Sequence, residues 1–211
     1  MCSGRVDPAH VLSAFSKGID GVFIGGCRLN ECNYITHGNY YAQNMVLLVK
    51  KILEYTGVNP ARLRIEFMSG SEGNVFVEVV NDFIREVKEL GPIGAGEGLD
   101  AAWLEAKFAE INKLIPYIKV TKNEKLRTPL KDPAEGSSYF TGEEIEELLG
   151  APVSYYIDPG KCKGCTICAG RCPVEAITGE KGQTHMIDQE KCIKCGTCLL
   201  SCPPRFAAIT K

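Results

Sequence analysis

The alternation of apolar and polar positions in the first ninety residues predicts five elements. Asp7 followed by Pro8 is an N-cap with proline at the first helical position, and the helix it starts runs through VLSAFSKG to a glycine stop. GVFIGGC, from Gly21 to Cys27, is a compact apolar run of strand length closed by glycines and a cysteine. Met45, Leu48, Val49 and Ile52 then recur at helical spacing, with Gly57 placed as the C-terminal cap. RLRIEFM reads as the next strand, and Phe76, Val79, Phe83, Val87 and Leu90 mark another amphipathic helix that ends at Gly91-Pro92. Strand and helix alternating over short connections imply a small parallel α/β layer, with sites expected in the loops at the carboxyl ends of its strands.

The pattern weakens after residue 92. GPIGAGEG, from Gly91 to Gly98, follows a helix rather than a strand, and Leu99 stands where a dinucleotide fingerprint needs its third glycine, so it reads as a linker. Residues 99–115 predict a helix with Trp103, Ala106 and Ile111 inward, NEKLRTPLKDPAEGSS an exposed connection, and TGEEIEELLG a short acidic helix with solvated charges. The expected organisation is a domain over 1–92, a helical linker region over 93–150 and a second domain over 151–211.

Charge and composition narrow the function. A net charge of -2, with Lys and Arg spread along the chain, supplies no basic stripe for nucleic acid. The longest apolar run, near Met45 to Val49, is far short of the roughly 18 residues of a membrane span, and no leader pattern opens the chain, so the expected location is the cytoplasm. No Ser-His-Asp or paired-carboxylate arrangement points to hydrolysis. His10, His37 and His185 are scattered, with only His37 near a cysteine in sequence.

Eleven cysteines are the concentrated chemistry, and in a reducing compartment such clusters bind metal or react. Eight lie in CKGCTICAGRCP, from Cys162, and CIKCGTCLLSCP, from Cys192, within a longer duplication in which IDPGKC matches IDQEKC and VEAIT echoes FAAIT. Both copies read C-x2-C-x2-C-x3-C-P, the run of two-cluster bacterial ferredoxins, in which three cysteines hold one [4Fe-4S] cube and the fourth reaches across to the other. The first cube is expected on Cys162, Cys165, Cys168 and Cys202, and the second on Cys172, Cys192, Cys195 and Cys198. Gly164 and Gly196 ease the turns that aim amide N–H groups at sulfur, and Pro173 and Pro203 fix the chain direction after the fourth ligand. Structural zinc uses paired CxxC sets rather than duplicated three-plus-one runs. The stretch resembles two-cluster ferredoxins along its length, with a texture like the ferredoxin tails of flavin-containing, NADH-oxidising subunits.

Cys2, Cys27 and Cys32 fall in loops beside glycines, where they are expected to converge on one edge of the sheet. CSGRVDP, GVFIGGCRLNECNYITHGNYYA and LRIEFMSGSEGNVFVEVVNDFIREVKELGP resemble the delta subunit of methyl-viologen-reducing hydrogenase over about residues 1 to 92. The resemblance implies a [2Fe-2S] cluster on Cys2, Cys27 and Cys32, with a fourth ligand not found in this sequence. Family members carry a further strand and more cysteines ahead of the match, so the expectation is that this material lies on another polypeptide, upstream of a miscalled start, or has been lost together with the cluster.

These readings describe an α/β small parallel-sheet N-terminal domain joined to an α+β two-[4Fe-4S] ferredoxin-like C-terminal domain. The expected function is a non-catalytic electron-transfer subunit in a hetero-oligomeric, anaerobic oxidoreductase complex. By resemblance its neighbours are a heterodisulfide-reductase-like flavoprotein and a hydrogenase, formate dehydrogenase or NADH-oxidising subunit. The alternative is an iron-sulfur redox sensor or scaffold whose cysteine trio acts as a thiol switch.

Overall fold

The computed structural model describes residues 2–34, 37–130, 136, 138–150 and 154–211. It divides into two compact units, Met1–Ile115 with Lys122–Gly150, and Pro116–Thr121 with Ala151–Lys211.

In the first unit the local signals act as physics requires. Asp7 Oδ1 accepts from the Ala9 amide (2.9 Å) to start α1, Pro8–Ser16. The strand β1, Val22–Gly26, pairs in parallel with β2, Leu63–Phe67, in the register Val22 to Leu63. The crossover between them is α2, Asn39–Tyr55, since parallel strands cannot be joined by a tight turn. Met45, Leu48, Val49 and Ile52 are all fully buried, so α2 is the spine of this core. It ends in a Schellman motif: Gly57, at φ 76°, donates to Glu54 O, and the buried Val58 donates to Leu53 O.

Several expectations need correction. On α3, Gly73–Leu90, only Phe83 is buried, resting on Phe23 (centroids 5.7 Å apart), while Phe76 and Val77 are exposed. A helix of 18 residues spans about 27 Å, and a two-stranded sheet is too narrow to cover its apolar stripe. On α4, Ala101–Thr121, the inward face is Leu104, Phe108, Ile111 and Ile115; Trp103 is exposed and Ala106 faces outward. Spacing set that face, not side-chain size.

The glycine-rich segment is not a free linker. Arg62 is completely buried, and its guanidinium donates to Glu97 Oε1 (2.6 Å), Asp20 O (3.0 Å), Gly91 O (2.8 Å) and Leu90 O (3.2 Å). Gly96 has no room for a Cβ, which would stand 2.1 Å from Leu90 O. Residues 93–115 and 122–150 group with the first unit, while 116–121 of the same region group with the second. The polar connection after α4 also opens with structure: α5, Asn123–Arg127, buries Leu126, and Asn44 Nδ2 on α2 donates to Lys125 O (2.8 Å) and Thr128 O (2.7 Å). Positions 131–135 and 137 of that stretch lie outside the described residues.

The acidic helix α6, Gly142–Gly150, is more than a solvated face. Thr141 and Glu144 form a capping box, the Glu144 amide donating to Thr141 Oγ1 (3.2 Å) and the Thr141 amide to Glu144 Oε2 (3.1 Å). Lys122 and Lys125 both donate to the same carboxylate. Burial alone would raise the Glu144 pKa, but the two ammonium groups and the Thr141 amide outweigh it and hold the carboxyl at about 2. A depressed carboxylate stabilises the fold above its unfolded pKa, and that contribution is lost as pH falls through the folded value. After allowance for solvent screening, Glu144→Gln is expected to cost about 2 kcal/mol at pH 7. The gap between variant and native chain should close as pH falls from about 4.5 to about 2, measured by urea denaturation.

The second unit repeats one design twice. Two antiparallel ladders, β3 (Tyr156–Ile157) with β6 (Ile209–Thr210) and β4 (Ile177–Thr178) with β5 (Met186–Ile187), flank the short helices α7, Ile167–Arg171, and α8, Thr197–Ser201. The duplication is visible atom by atom: Cys162 N donates to Asp158 O and Cys192 N to Asp188 O, both at 2.9 Å. Asp158 N donates to Ala208 O (2.7 Å) as Asp188 N does to Ala176 O (2.8 Å).

Candidate metal centres

Two cavities sit inside the ferredoxin-like unit. Cys162, Cys165, Cys168 and Cys202 line one; Cys172, Cys192, Cys195 and Cys198 line the other. Each thus gathers three cysteines of one run and the fourth of the other, because α7 and α8 pack side by side and carry Cys172 and Cys202 across at their ends.

The backbone around both cavities is bent to face sulfur. Gly164 and Gly196 hold left-handed conformations (φ 61° and 73°), and a Cβ at Gly164 would stand 2.4 Å from Gln183 N. Thr166, Glu175, Lys194 and Ala207 also have positive φ, a conformation costly for residues with a Cβ that sequence gives no cue to expect. The result is a set of amide donors on the thiols: Ala176 N to Cys172 Sγ (3.3 Å), Ala208 N to Cys202 Sγ (3.4 Å) and Lys194 N to Cys192 Sγ (3.4 Å).

The donor set fits a thiolate-bound cluster. Burial, reinforced by the neighbouring thiols, pushes Cys198 up to about 11, and burial also raises Cys168. Thiols buried as Cys168 and Cys198 are give up their protons readily only to compensating positive charge, which iron supplies. Among the described residues no three His, Cys, Asp or Glu side chains converge on a point where one metal ion would sit. In a cube each thiolate takes its own iron, so the sulfurs need not converge on one point.

Cys2, Cys27 and Cys32 meet just beyond the carboxyl end of β1. Cys2 Sγ lies 3.8 Å from Cys32 Sγ, and Asn39 at the start of α2 is buried and ties the loop by donating to Cys27 O (2.9 Å) and Arg28 O (2.6 Å). Its Nδ2 also reaches Cys27 Sγ at 3.7 Å, and Tyr34 N reaches Cys32 Sγ at 3.5 Å. Burial, the hydrogen bond to Cys32 and the neighbouring thiol charges raise Cys27. For Cys32 burial acts upward as well, but hydrogen bonds from the Tyr34 and Asn39 amides and from the Cys27 and Cys2 thiols prevail and lower it. Cys32 is thus the thiol of the three poised to be thiolate.

His10 and His37 are exposed, His37 in the turn before α2 with its carbonyl against Gly4. His185, grouped with them by sequence, is buried and lines the first cysteine cavity. Asn39 and His185 escaped sequence reading; for His185 the duplication held a signal, since position 185 is the counterpart of Tyr155, thirty residues earlier, which lines the second cavity.

Comparison with known proteins agrees with both halves. Residues 1–91 match the family described as methyl-viologen-reducing hydrogenase, delta subunit, and residues 161–206 match a 4Fe-4S dicluster domain. Over 92 residues, 44% of this chain, it is 41% identical to the iron-sulfur subunit of the vhu F420-non-reducing hydrogenase of Methanopyrus kandleri, covering 69% of that protein. It is 45% identical over 91 residues (43% of the chain) to the iron-sulfur subunit of the F420-non-reducing hydrogenase of Archaeoglobus profundus, covering 66% of it. A third relative belongs to the ferredoxin/F420H2-dependent CoB-CoM heterodisulfide reductase of Methanosarcina acetivorans; it is 44% identical over 95 residues, 45% of this chain but only 12% of that protein's length. No helix among the described residues is long and apolar enough to cross a membrane. The chain belongs to the methyl-viologen-reducing hydrogenase delta subunit family, with a 4Fe-4S dicluster domain following the family's matched region.

Proposed function

We propose that this protein is an electron relay, which accepts electrons from one redox partner and passes them to another without transforming an organic substrate. The observation that carries the proposal is the pair of four-cysteine cavities in one unit, each completed by a cysteine of the other run. Iron-sulfur cubes supply one-electron chemistry with little rearrangement. The chain's part is to hold eight thiolates, aim amide N–H groups at their sulfurs and keep the surroundings apolar. The ligand sets are Cys162, Cys165, Cys168 and Cys202 for the first cube, and Cys172, Cys192, Cys195 and Cys198 for the second.

Cys2, Cys27 and Cys32 add a [2Fe-2S] centre on the first unit, its fourth ligand coming from outside the trio. The relatives' names, which belong to hydrogenases and to a heterodisulfide reductase, favour a hydrogenase and a heterodisulfide-reductase-like flavoprotein as the neighbours. A formate dehydrogenase or NADH-oxidising module is a further candidate for the electron source in such an anaerobic, cytoplasmic assembly.

The 3.8 Å between Cys2 and Cys32 sulfurs supports a second reading, a thiol switch in which the pair forms a disulfide and gives two electrons and two protons to an oxidant. Iron and sulfide analysis of the anaerobically purified chain separates the readings. About ten irons per chain are expected with all three centres, and about eight with titratable thiols at Cys2 and Cys32 favours the switch. About four irons would defeat the two-cube relay.

A further inference from the structure

The duplicated halves of the ferredoxin-like unit are not equal, and the inequality sits beside the cysteines. In the first cavity the position two residues before the ladder residue Ile187 is His185; in the second, the position two residues before Ile157 is Tyr155. His185 is 1% exposed, with its Nδ1 3.1 Å from Gln183 O. Its Nε2 is buried without any partner, and no other buried side chain described in this unit has such an atom. An unpaired buried polar atom costs about 1–3 kcal/mol and calls for a compensating partner. The ring is locked in place, since a Cβ on Gly179 would stand 2.7 Å from its Cγ. Tyr155 differs: it is half-buried, its hydroxyl rests against Gly196, and burial followed by the Tyr117 and cysteine charges raises its pKa and keeps it neutral.

We propose that His185 makes the site framed by Cys162, Cys165, Cys168 and Cys202 the higher-potential member of the pair, so that an electron reaching the unit rests there. The inference rests on the relay reading above. Nδ1 lies at a carbonyl while Nε2 is buried and unpartnered on a ring that lines the cysteine cavity, and an N–H there facing a bound cluster would stabilise the added negative charge of the reduced site. Lys163 between Cys162 and Cys165 is matched by Lys194 between Cys192 and Cys195, so charge on the loops does not separate the two sites. Tyr155 gives the twin site no buried, unpartnered nitrogen. The resulting step moves one electron from the second site to the first and changes no covalent bond in the chain. His185 is a positioning residue: it acts through hydrogen bonding and is not itself oxidised or reduced.

Anaerobic potentiometric titration of the cluster-loaded full chain, followed by electron paramagnetic resonance, tests this. Two one-electron steps are expected, separated by at least a tenfold difference in equilibrium constant, about 59 mV. His185→Tyr should lower the upper step alone by a similar factor and bring the two together, Tyr155→His should raise the lower step, and His185→Gln, which keeps an N–H donor, should move the upper step less than the tyrosine variant. Coincident steps in the native chain overturn the inference, as does an unmoved upper step in a His185→Tyr variant that retains its iron. If His185→Tyr fails to assemble, an unmoved lower step in Tyr155→His overturns it equally. Native chain with about four irons would instead sink the relay reading, which makes the two failures distinguishable.

Discussion

Cys202→Ser is expected to remove the cube of the first cysteine run, although Cys202 lies thirty residues beyond Cys172 in the second run. The reason is the crossing of α7 and α8, which puts Cys202 on the cavity of Cys162, Cys165 and Cys168. In the anaerobically reconstituted chain, iron and sulfide from the ferredoxin-like half should fall by about half, and the surviving electron paramagnetic resonance signal should be that of the site bearing His185's counterpart, Tyr155. Serine oxygen is a poorer ligand for iron than thiolate, so even a retained cube should have a shifted signal and potential. Cys172→Ser is the mirror experiment and should spare the first site. If Cys202→Ser damages only the site of Cys192, Cys195 and Cys198, the crossed pairing is wrong.

Arg62→Ala is expected to cost about 3–5 kcal/mol, measured by denaturant unfolding of the whole chain at neutral pH. Removing the guanidinium leaves the Glu97 carboxylate, which is 10% exposed, together with the carbonyls of Asp20, Leu90 and Gly91, without their shared donor. Glu97 is held below the usual carboxylate range: burial opposes this, but the bond to Arg62 leads the groups that overcome it. In the variant Glu97 would keep only the Asn59 and Gly94 amide donors and lose the guanidinium that neutralises it. Arg62→Lys should recover little, because one ammonium cannot replace a planar fork that spans five acceptor residues. A loss under about 1 kcal/mol for Arg62→Ala would show that the 91–98 loop is held by other contacts.

These two variants mark different distances between sequence and structure. The crossed cysteine sets are legible because spacing, duplication and proline placement encode a known ligand geometry. Nothing in the sequence singles out Arg62 among the chain's cations; its burial arises only when the start of β2, the end of α3 and the glycine-rich loop meet around it. The same holds for Glu144, one of several acidic residues in TGEEIEELLG, which gains its partners when α5 and the end of α4 place two lysines against it. Trp103 shows the converse error: size suggested an inward residue, while the stripe of Leu104, Phe108, Ile111 and Ile115 left it outside.

The local events follow from the order of residues alone, because capping, periodicity and ligand spacing depend on neighbours within a few positions. Asp7 starts α1, Met45 to Ile52 build the buried face of α2, Gly57 stops it, and two cysteine runs specify two ligand loops. Folding in three dimensions was needed to settle which face of α3 stays uncovered, that GPIGAGEG is pinned by a buried arginine, that Cys2 and Cys32 come within 3.8 Å, and that one histidine of three lies against a cysteine cavity. Those outcomes depend on residues far apart in the chain converging in space, and on the cost of leaving a charge or a polar atom buried without a partner.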